Sequence, residues 1–204
     1  MIEAVYKNQV EDSNIPKRYL IANKLSPTSE NDRKAFERLV NIENQAERFV
    51  NEGHNLLIYS SKCGNGKTSF ATRIGLSYIK NYSSNYAIDT PVIFVNAAEY
   101  INRKKTAISD KSIVDEVNQL DKYLYTANLV IWDDIATKAL SEYDMEQLYV
   151  FINNRIANMK SNIFTSNCSR TEMSKIMGAR LSSRIVNNSI TIELDGYDCR
   201  KDEF

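Results

Sequence analysis

Five short apolar runs, separated by longer stretches of mixed polarity, constrain the fold of this chain more than any other feature of its sequence. The runs are NLLIY at 55–59, PVIFV at 91–95, NLVIW at 128–132, NIFTS at 162–166 and SITIEL at 189–194. Their continuous apolarity predicts strands that are buried on both faces, and the stretches between them suit crossover helices. The sequence therefore predicts an α/β fold with a five-stranded parallel sheet flanked by helices.

Two segments have the spacing of amphipathic helices. Between residues 31 and 51 the apolar side chains fall mostly three and four apart among charged ones, which predicts one helix that ends at Gly53. Residues 141–160 begin with Ser141 and Asp144 in the spacing of a capping box. One face of this second segment is apolar and is expected to pack against the sheet; it carries Met145, Leu148, Ile152, Ile156 and Met159.

The first residues of the chain lack such a pattern. Residues 1–28 contain Pro16 and Pro27 and no sustained apolar period, so we expect an extended N-terminal linker segment with a short turn at IPKRYL, residues 15–20. The remaining residues, 29–204, are expected to form a single domain, which is a suitable size for one hydrophobic core.

Composition excludes several classes of protein. The 204 residues carry 26 Lys plus Arg against 26 Asp plus Glu, so nucleic acid could be bound only through a local patch. Cys63, Cys168 and Cys199 are odd in number and form no CxxC pair, which argues against a disulfide framework or a zinc site. No stretch approaches the roughly 18 apolar residues of a membrane span. We expect a cytoplasmic protein that makes no contact with a membrane.

The segment SKCGNGKTS at 61–69 follows the first predicted strand and precedes a predicted helix, which is the context of a phosphate-binding P-loop. The residues expected to bind the nucleotide are Cys63, Gly64, Asn65, Gly66, Lys67, Thr68 and Ser69. The glycines let successive backbone N–H groups face phosphate oxygens, Lys67 would reach the β- and γ-phosphates, and the Thr68 hydroxyl would bind Mg²⁺. Ser61 replaces the first glycine of GxxxxGK[ST], so a glycine turn with an exposed lysine is the alternative.

Two adjacent carboxylates follow the third predicted strand, in LVIWDD at 129–134. Asp133, at the strand tip, is expected to hold Mg²⁺ through water, and Asp134 to orient or polarise the water that attacks the γ-phosphate. Because ligands bind at the carboxyl ends of parallel strands, the P-loop and this pair point to the same edge of the sheet. An exposed acidic turn is the alternative.

Two further polar groups come later in the chain. Thr165, Ser166 and Asn167 end the fourth predicted strand, and the Asn167 amide would meet the γ-phosphate or the attacking water, with a helix cap as its alternative. Arg180 and Arg184 are four residues apart and share one face if helical. One of them would act as an arginine finger, and a solvated surface pair is the alternative.

The motifs of this chain resemble those of AAA+ ATPases, specifically the branch of the DnaC and DnaI helicase loaders and the IstB-type transposition ATPases. The matching motifs are, in order, the P-loop, LVIWDDI, TSN and RLSSR. The resemblance covers roughly residues 14–200 and includes IPKRYL as the N-terminal linker of the family. It implies a P-loop AAA+ core, ATP and Mg²⁺ as cofactors, and ATP hydrolysis. The residues it assigns are Asp134 and Asn167 as catalytic, Arg184 as a finger acting on a neighbouring subunit's ATP, and Ile15 and Tyr19 near the adenine.

The resemblance also implies partners. It implies a homo-oligomer that forms when ATP is bound, assembly on single-stranded DNA, and recruitment of a replicative helicase or another replication protein. In this family the segment between the second and third strands meets single-stranded DNA, and here it contains Arg103, Lys104 and Lys105 beside Tyr100. Such a basic triplet would contact phosphates, whereas a solvated helix end is the alternative.

Some features depart from the family pattern. Ser61, and an aspartate at 134 where many members have glutamate, predict slow hydrolysis. Few residues follow the last predicted strand, so we expect the C-terminal helical lid to be absent, as in this branch, with Arg200 a weak candidate for sensor 2. A compact ATPase of this kind suits a phage or mobile element. The alternatives are a weakly hydrolysing or non-hydrolysing adaptor or inhibitor of a replication protein, and an IstB-like transposition helper.

Overall fold

A computed structural model describes residues 2–21, 25–27, 29–82, 90–137 and 139–196. Its strands are β1 Asn55–Tyr59, β2 Val92–Asn96, β3 Leu129–Asp133, β4 Ser161–Ser166 and β5 Ile190–Glu193. They form one parallel sheet in the order β2-β3-β4-β1-β5. Each strand lies within one residue of its predicted bounds, and the predicted α/β fold with a five-stranded parallel sheet is confirmed.

Helices cover both faces of the sheet. They are α1 Ile2–Asp12, α2 Glu30–Asn44, α3 Ala46–Asn51, α4 Lys67–Tyr82, α5 Ala97–Ser109, α6 Val114–Thr126, α7 Glu142–Ala157 and α8 Arg170–Asn187, with short 3₁₀ turns at Lys17–Tyr19 and Lys111–Ile113. Alternate strand residues enter two core clusters, one with α2, α3 and α4 and the other with α5, α6, α7 and α8. None of the helices in the described ranges is long and apolar enough to span a membrane.

The N-terminus differs from its prediction as an extended lead-in, because residues 2–12 form helix α1. Tyr6 and Val10 of this helix pack against the first core cluster, and the carbonyl of Ser13 accepts a hydrogen bond of 2.7 Å from the N–H of Phe94 in β2. The two prolines lie beyond the helix and carry no signal about it. The short turn predicted at residues 15–20 is confirmed as the 3₁₀ turn at Lys17–Tyr19.

The single helix predicted between residues 31 and 51 is wrong, because Gln45 has φ −111° and separates α2 from α3. The predicted capping box of α7 is confirmed, with the Ser141 hydroxyl accepting from the Asp144 N–H. That helix, however, ends at Ala157. Met159, predicted to belong to its buried stripe, has φ +54° and is 66% exposed, because the chain turns there to enter β4.

A fully buried guanidinium holds the amino edge of the sheet together. Arg155 of α7 donates hydrogen bonds of 2.6–3.2 Å to the Asn162 Oδ1 and to the carbonyl oxygens of Leu124, Ala127, Asn128 and Ser161. Burial lowers the pKa of Arg155 to about 9, so the side chain remains charged at neutral pH. The carbonyls at the end of α6 carry partial negative charge and stabilise this cation. Arg155 thus joins α6, α7 and β4.

We predict that Arg155→Met lowers the free energy of unfolding by about 3 kcal/mol or more, because it leaves several buried carbonyl oxygens without a donor. Denaturant unfolding followed by circular dichroism measures the change. The control is Arg48→Met, since Arg48 is 70% exposed in its side chain and pairs with the exposed Glu52, and we expect it to cost less than about 1 kcal/mol. Equal losses for the two variants would contradict the stabilising role of Arg155.

Candidate nucleotide site

The strand order brings three functional segments together. β3, β4 and β1 are neighbours in the sheet, so the turn after β3, the end of β4 and the loop after β1 lie at the same carboxyl edge. The Thr68 hydroxyl, at the start of α4, donates a hydrogen bond of 2.8 Å to Oδ1 of Asp133 at the end of β3. The P-loop and the acidic pair are therefore in direct contact.

The backbone of the P-loop depends on its two glycines. Gly64 has φ +73° and Gly66 has φ +90°, a region that favours glycine, and a Cβ on Gly66 would lie 3.1 Å from the side chain of Leu25. Ser61 is not among the described residues with positive φ. The missing first glycine therefore costs no backbone strain. Because α4 begins at Lys67, its unpaired N–H groups face the loop and favour an anion there.

The Lys67 side chain is held inside the loop. It is buried, and its Nζ donates to the Lys62 carbonyl oxygen at 2.8 Å and to the Asn65 Oδ1 at 3.1 Å. Asn65 is itself fixed, because its Nδ2 donates to the Ser60 hydroxyl and to the carbonyl of Leu194 at the end of β5. A buried ammonium beside a helix N-terminus strongly favours a phosphate anion.

Asp133 is a buried carboxylate that two hydroxyl groups contact. It is 4% exposed, and its Oδ1 accepts hydrogen bonds from the Thr68 hydroxyl at 2.8 Å and from the Thr165 hydroxyl at 2.7 Å. Burial raises the pKa of the Asp133 carboxyl above its usual value, and the two hydrogen bonds oppose that shift. A carboxylate and a hydroxyl are the hard oxygen ligands that Mg²⁺ prefers, so these residues fit that ion.

The two residues predicted to be catalytic are in contact with each other. Asp134 has φ +53°, and its Oδ1 accepts a hydrogen bond of 2.9 Å from the Nδ2 of Asn167 at the end of β4. The cap of the following helix is Ser169, whose hydroxyl accepts from the Glu172 N–H, so Asn167 is not the helix cap. The Asn167 amide and the Asp134 carboxylate thus lie beside the phosphate-binding loop as a pair.

The profile of the bacterial DnaA ATPase domain matches residues 17–192 of the chain. The chain belongs to this family. The DnaC helicase loader has a similar structure, with a TM-score of 0.69 and 21% identity over 88% of this chain and 100% of that chain. DnaI has a TM-score of 0.63 and 21% identity, over 89% of this chain and 95% of that chain. DnaA bound to AMPPCP and single-stranded DNA has a TM-score of 0.65 and 17% identity, over 90% of this chain and 51% of that chain. No match is found among curated protein sequences.

These likenesses show the fold, which is the AAA+ P-loop core that the sequence predicts. Family membership supports ATP binding by the P-loop of this DnaA-type domain. The assignments of single residues and the division of the chain at residue 28 stay predictions. Arg200, the candidate for sensor 2, and Cys199 lie outside the described residues.

A groove of about 680 Å³ adjoins the P-loop of the DnaA-type domain. Tyr19, Leu25 and Ser69 line it, and the proximity of Tyr19 to the adenine stays a prediction. Ile15 does not line the groove; it is buried in the first core cluster. The sequence reasoning missed Leu25, because it lies between Pro16 and Pro27 in a segment without apolar periodicity.

The two arginines of α8 differ in their contacts. Arg180 lies over the Tyr149 ring at 4.0 Å and pairs with Glu146 at 3.7 Å. α8 begins at the carboxyl edge of the sheet and has a kink at Gly178, where φ is +77° and ψ is 153°, so the segment that carries Arg184 does not continue the axis of its first turns. The buried Nε of Arg184 has no hydrogen-bond partner among the described residues.

Each member of the predicted DNA-binding triplet has an acidic partner. Arg103 pairs with Glu116 of α6, Lys104 with Asp121 at 2.8 Å, and Lys105 with Asp144 at 2.8 Å. The Lys104 side chain is only 16% exposed and its Nζ lies over an aromatic ring, whereas Arg103 and Lys105 are 42% and 46% exposed. Lys104 thus has a packing role, and only the other two present their charges to solvent.

We predict that Lys67→Ala raises the Kd for ATP by about tenfold to a hundredfold, because a charge-assisted hydrogen bond to phosphate contributes about 1.5–3 kcal/mol. Titration of a fluorescent ATP analogue measures the Kd. Lys34→Ala, on the exposed surface of α2, is the control and should bind as the wild type does. An unchanged Kd for Lys67→Ala would show that the loop does not bind phosphate.

Proposed function

We propose that this DnaA-type domain hydrolyses ATP slowly and acts in DNA replication in the manner of a helicase loader, forming an ATP-dependent oligomer on single-stranded DNA. The observation that carries the proposal is the convergence at one sheet edge of Lys67, the Thr68–Asp133 hydrogen bond and the Asn167–Asp134 hydrogen bond. Phosphate binding, metal binding and water activation need these three groups side by side.

In this proposal each residue of the site has a separate role in binding or hydrolysis of ATP. The P-loop N–H groups and Lys67 bind the β- and γ-phosphates, while Thr68 and Asp133 hold Mg²⁺. When bound, that ion supplies positive charge to the phosphate oxygens. Asp134 orients the attacking water, and Asn167 fixes the Asp134 carboxylate. Because aspartate is one methylene shorter than glutamate and its Oδ1 already accepts from Asn167, we expect turnover to be slow.

Arg184 supports the oligomer in this proposal. Its buried Nε has no hydrogen-bond partner among the described residues, and a positive charge near the γ-phosphate stabilises the transition state of phosphoryl transfer. We therefore expect the Arg184 guanidinium to lie beside the ATP bound by a second copy of the chain. The partner of Arg184 in this arrangement is the ATP of the neighbouring subunit, so ATP bridges two copies and controls their association.

We predict that the specific activity of the wild type rises with protein concentration and that Arg184→Ala abolishes this rise, lowering the rate at high concentration by up to about a thousandfold while ATP still binds. Phosphate release at a series of protein concentrations measures the effect. Arg180→Ala on the same helix is the matched control, since Arg180 has partners within its own chain. A concentration-independent wild type would contradict the oligomer.

Single-stranded DNA is the nucleic-acid ligand of the proposal. DnaA has been solved with AMPPCP and single-stranded DNA, and its fold is similar to that of this chain. Arg103 and Lys105 are the two half-exposed cations of the α5 triplet, and phosphates would replace Glu116 and Asp144 as their partners. This exchange is electrostatic, so it should weaken with salt.

We predict that single-stranded DNA binds with an ATP analogue but not with ADP, and that Lys67→Ala abolishes binding. The double variant Arg103→Ala/Lys105→Ala should reduce the slope of log Kd against log salt by about 1.4, since each phosphate contact contributes about 0.7. Fluorescence anisotropy of a labelled oligonucleotide at several salt concentrations measures both. Lys34→Ala/Arg38→Ala, exposed on α2, matches the lost charge and should leave the slope unchanged.

Binding of DNA that ignores the nucleotide would instead favour the adaptor or inhibitor of a replication protein, as would undetectable hydrolysis. An IstB-like helper would share the ATP site and differ in its protein partner, which a pull-down with a transposase or a helicase distinguishes. The cytoplasmic location and the phage source stay predictions from the sequence.

A further inference from the structure

Thr165 contacts three consecutive residues at the end of β3. It is fully buried in β4, and its hydroxyl donates to Asp133 Oδ1 at 2.7 Å. The same hydroxyl oxygen accepts from the Asp134 N–H at 3.0 Å, and the Thr165 carbonyl accepts from the Ile135 N–H at 2.9 Å. A single residue therefore fixes the turn that carries both acidic side chains.

The partners of its hydroxyl distinguish this residue. β4 has four fully buried polar residues, Ser161, Asn162, Thr165 and Ser166, and the hydroxyl of Thr165 is the one hydrogen-bonded to both Asp133 and Asp134. A buried hydroxyl is costly unless its hydrogen bonds are made. The Thr165 hydroxyl donates to the Asp133 carboxylate and accepts from the Asp134 N–H. These two hydrogen bonds, both to residues of the candidate site, offset the free-energy cost of burying the hydroxyl.

The first consequence concerns the Asp133 carboxylate. Thr68 and Thr165 approach Oδ1 from α4 and β4, and both donate to that one oxygen. Two donors on Oδ1 fix the plane of the carboxylate. Without the Thr165 hydroxyl, the hydrogen bond left to Oδ1 among the described residues is the one from Thr68, itself expected to be a metal ligand, so the orientation of the carboxylate would be less well fixed.

The second consequence concerns the backbone of Asp134. Its φ of +53° lies in the left-handed region, which residues other than glycine rarely adopt. The hydrogen bond from its N–H to Thr165 stabilises this conformation, in which the Asp134 carboxylate accepts from Asn167 at 2.9 Å. Loss of the Thr165 hydroxyl would leave that N–H unpaired and would loosen the Asp134–Asn167 contact.

We propose that Thr165 is a positioning residue that couples Mg²⁺ to nucleotide binding, by orienting Asp133 for the ion and holding Asp134 against Asn167. The proposal rests on the proposed function, since it assumes that Asp133 meets Mg²⁺. Groups that orient metal-binding side chains typically change metal affinity by about tenfold to a hundredfold when they are removed. Thr165 has no direct contact with the nucleotide in this scheme.

The test measures the Kd of a fluorescent ATP analogue in Mg²⁺ and in EDTA, and takes the ratio of the two as the metal coupling. Thr165→Val keeps the shape of the side chain and removes the hydroxyl. We expect it to reduce the coupling by about tenfold or more while the Kd in EDTA stays at the wild-type value. Thr165→Ser restores the hydroxyl and should restore the coupling. If Thr165→Val does not fold, Thr165→Ala also lacks the hydroxyl and takes its place.

The matched control is Ser161→Ala, at the opposite end of the same strand. Its hydroxyl is also fully buried and donates to the carbonyl of Val50 at 3.2 Å, far from the acidic pair. We expect this variant to lose thermal stability and keep the wild-type coupling. Wild-type coupling in Thr165→Val, or lost coupling in Thr165→Ser, would overturn the role of Thr165. A wild type without metal coupling would instead overturn the proposed function.

Discussion

The hydrogen bond between the Thr68 hydroxyl and the Asp133 carboxylate is the contact on which the site depends. The two residues are 65 positions apart in sequence, and their strands are not neighbours, because β4 lies between β1 and β3. Strands in a sheet are about 4.8 Å apart, so the carboxyl ends of β1 and β3 leave a gap of about 10 Å. α4 crosses part of that gap by starting immediately after the P-loop, and β4 fills the rest with Thr165.

This arrangement explains why each part of the site belongs to a different element. The P-loop follows β1, the carboxylates end β3 and the Asn167 amide ends β4. A shift of any one strand by a single residue would turn its last side chain to the other face of the sheet. The buried polar contacts of Asp133 and Asn65 therefore need the packing on both faces of the sheet to be maintained, including the core held by Arg155 at the opposite edge.

The sequence predicts the parts of the fold and of the site whose pattern lies within a few consecutive residues, and not the parts that depend on contacts between distant residues. The strands are local patterns, and the sequence predicts their bounds within one residue. The role of Thr165 has no local signal, since threonine is an ordinary residue in a strand. The ion pairs of Arg103 and Lys105 depend on Glu116 and Asp144, whose approach only the packing of α5, α6 and α7 determines. Helix α1 was missed because tertiary contacts rather than a regular apolar period stabilise it.

In the proposed function, the same geometry separates ATP binding from ATP turnover. Binding would depend on Lys67 and Asn65, which are buried and tied to β5 through the carbonyl of Leu194, so the loop is already close to a fixed shape before any phosphate arrives. In that proposal turnover would depend on Asp134, which is half-buried and already hydrogen-bonded to Asn167, and on a positive charge from a neighbouring copy. A preformed binding loop beside an incomplete catalytic set favours long-lived ATP complexes. In the proposed oligomer, such complexes would complete their catalytic set when a second copy supplies Arg184, so the bound nucleotide would report on assembly.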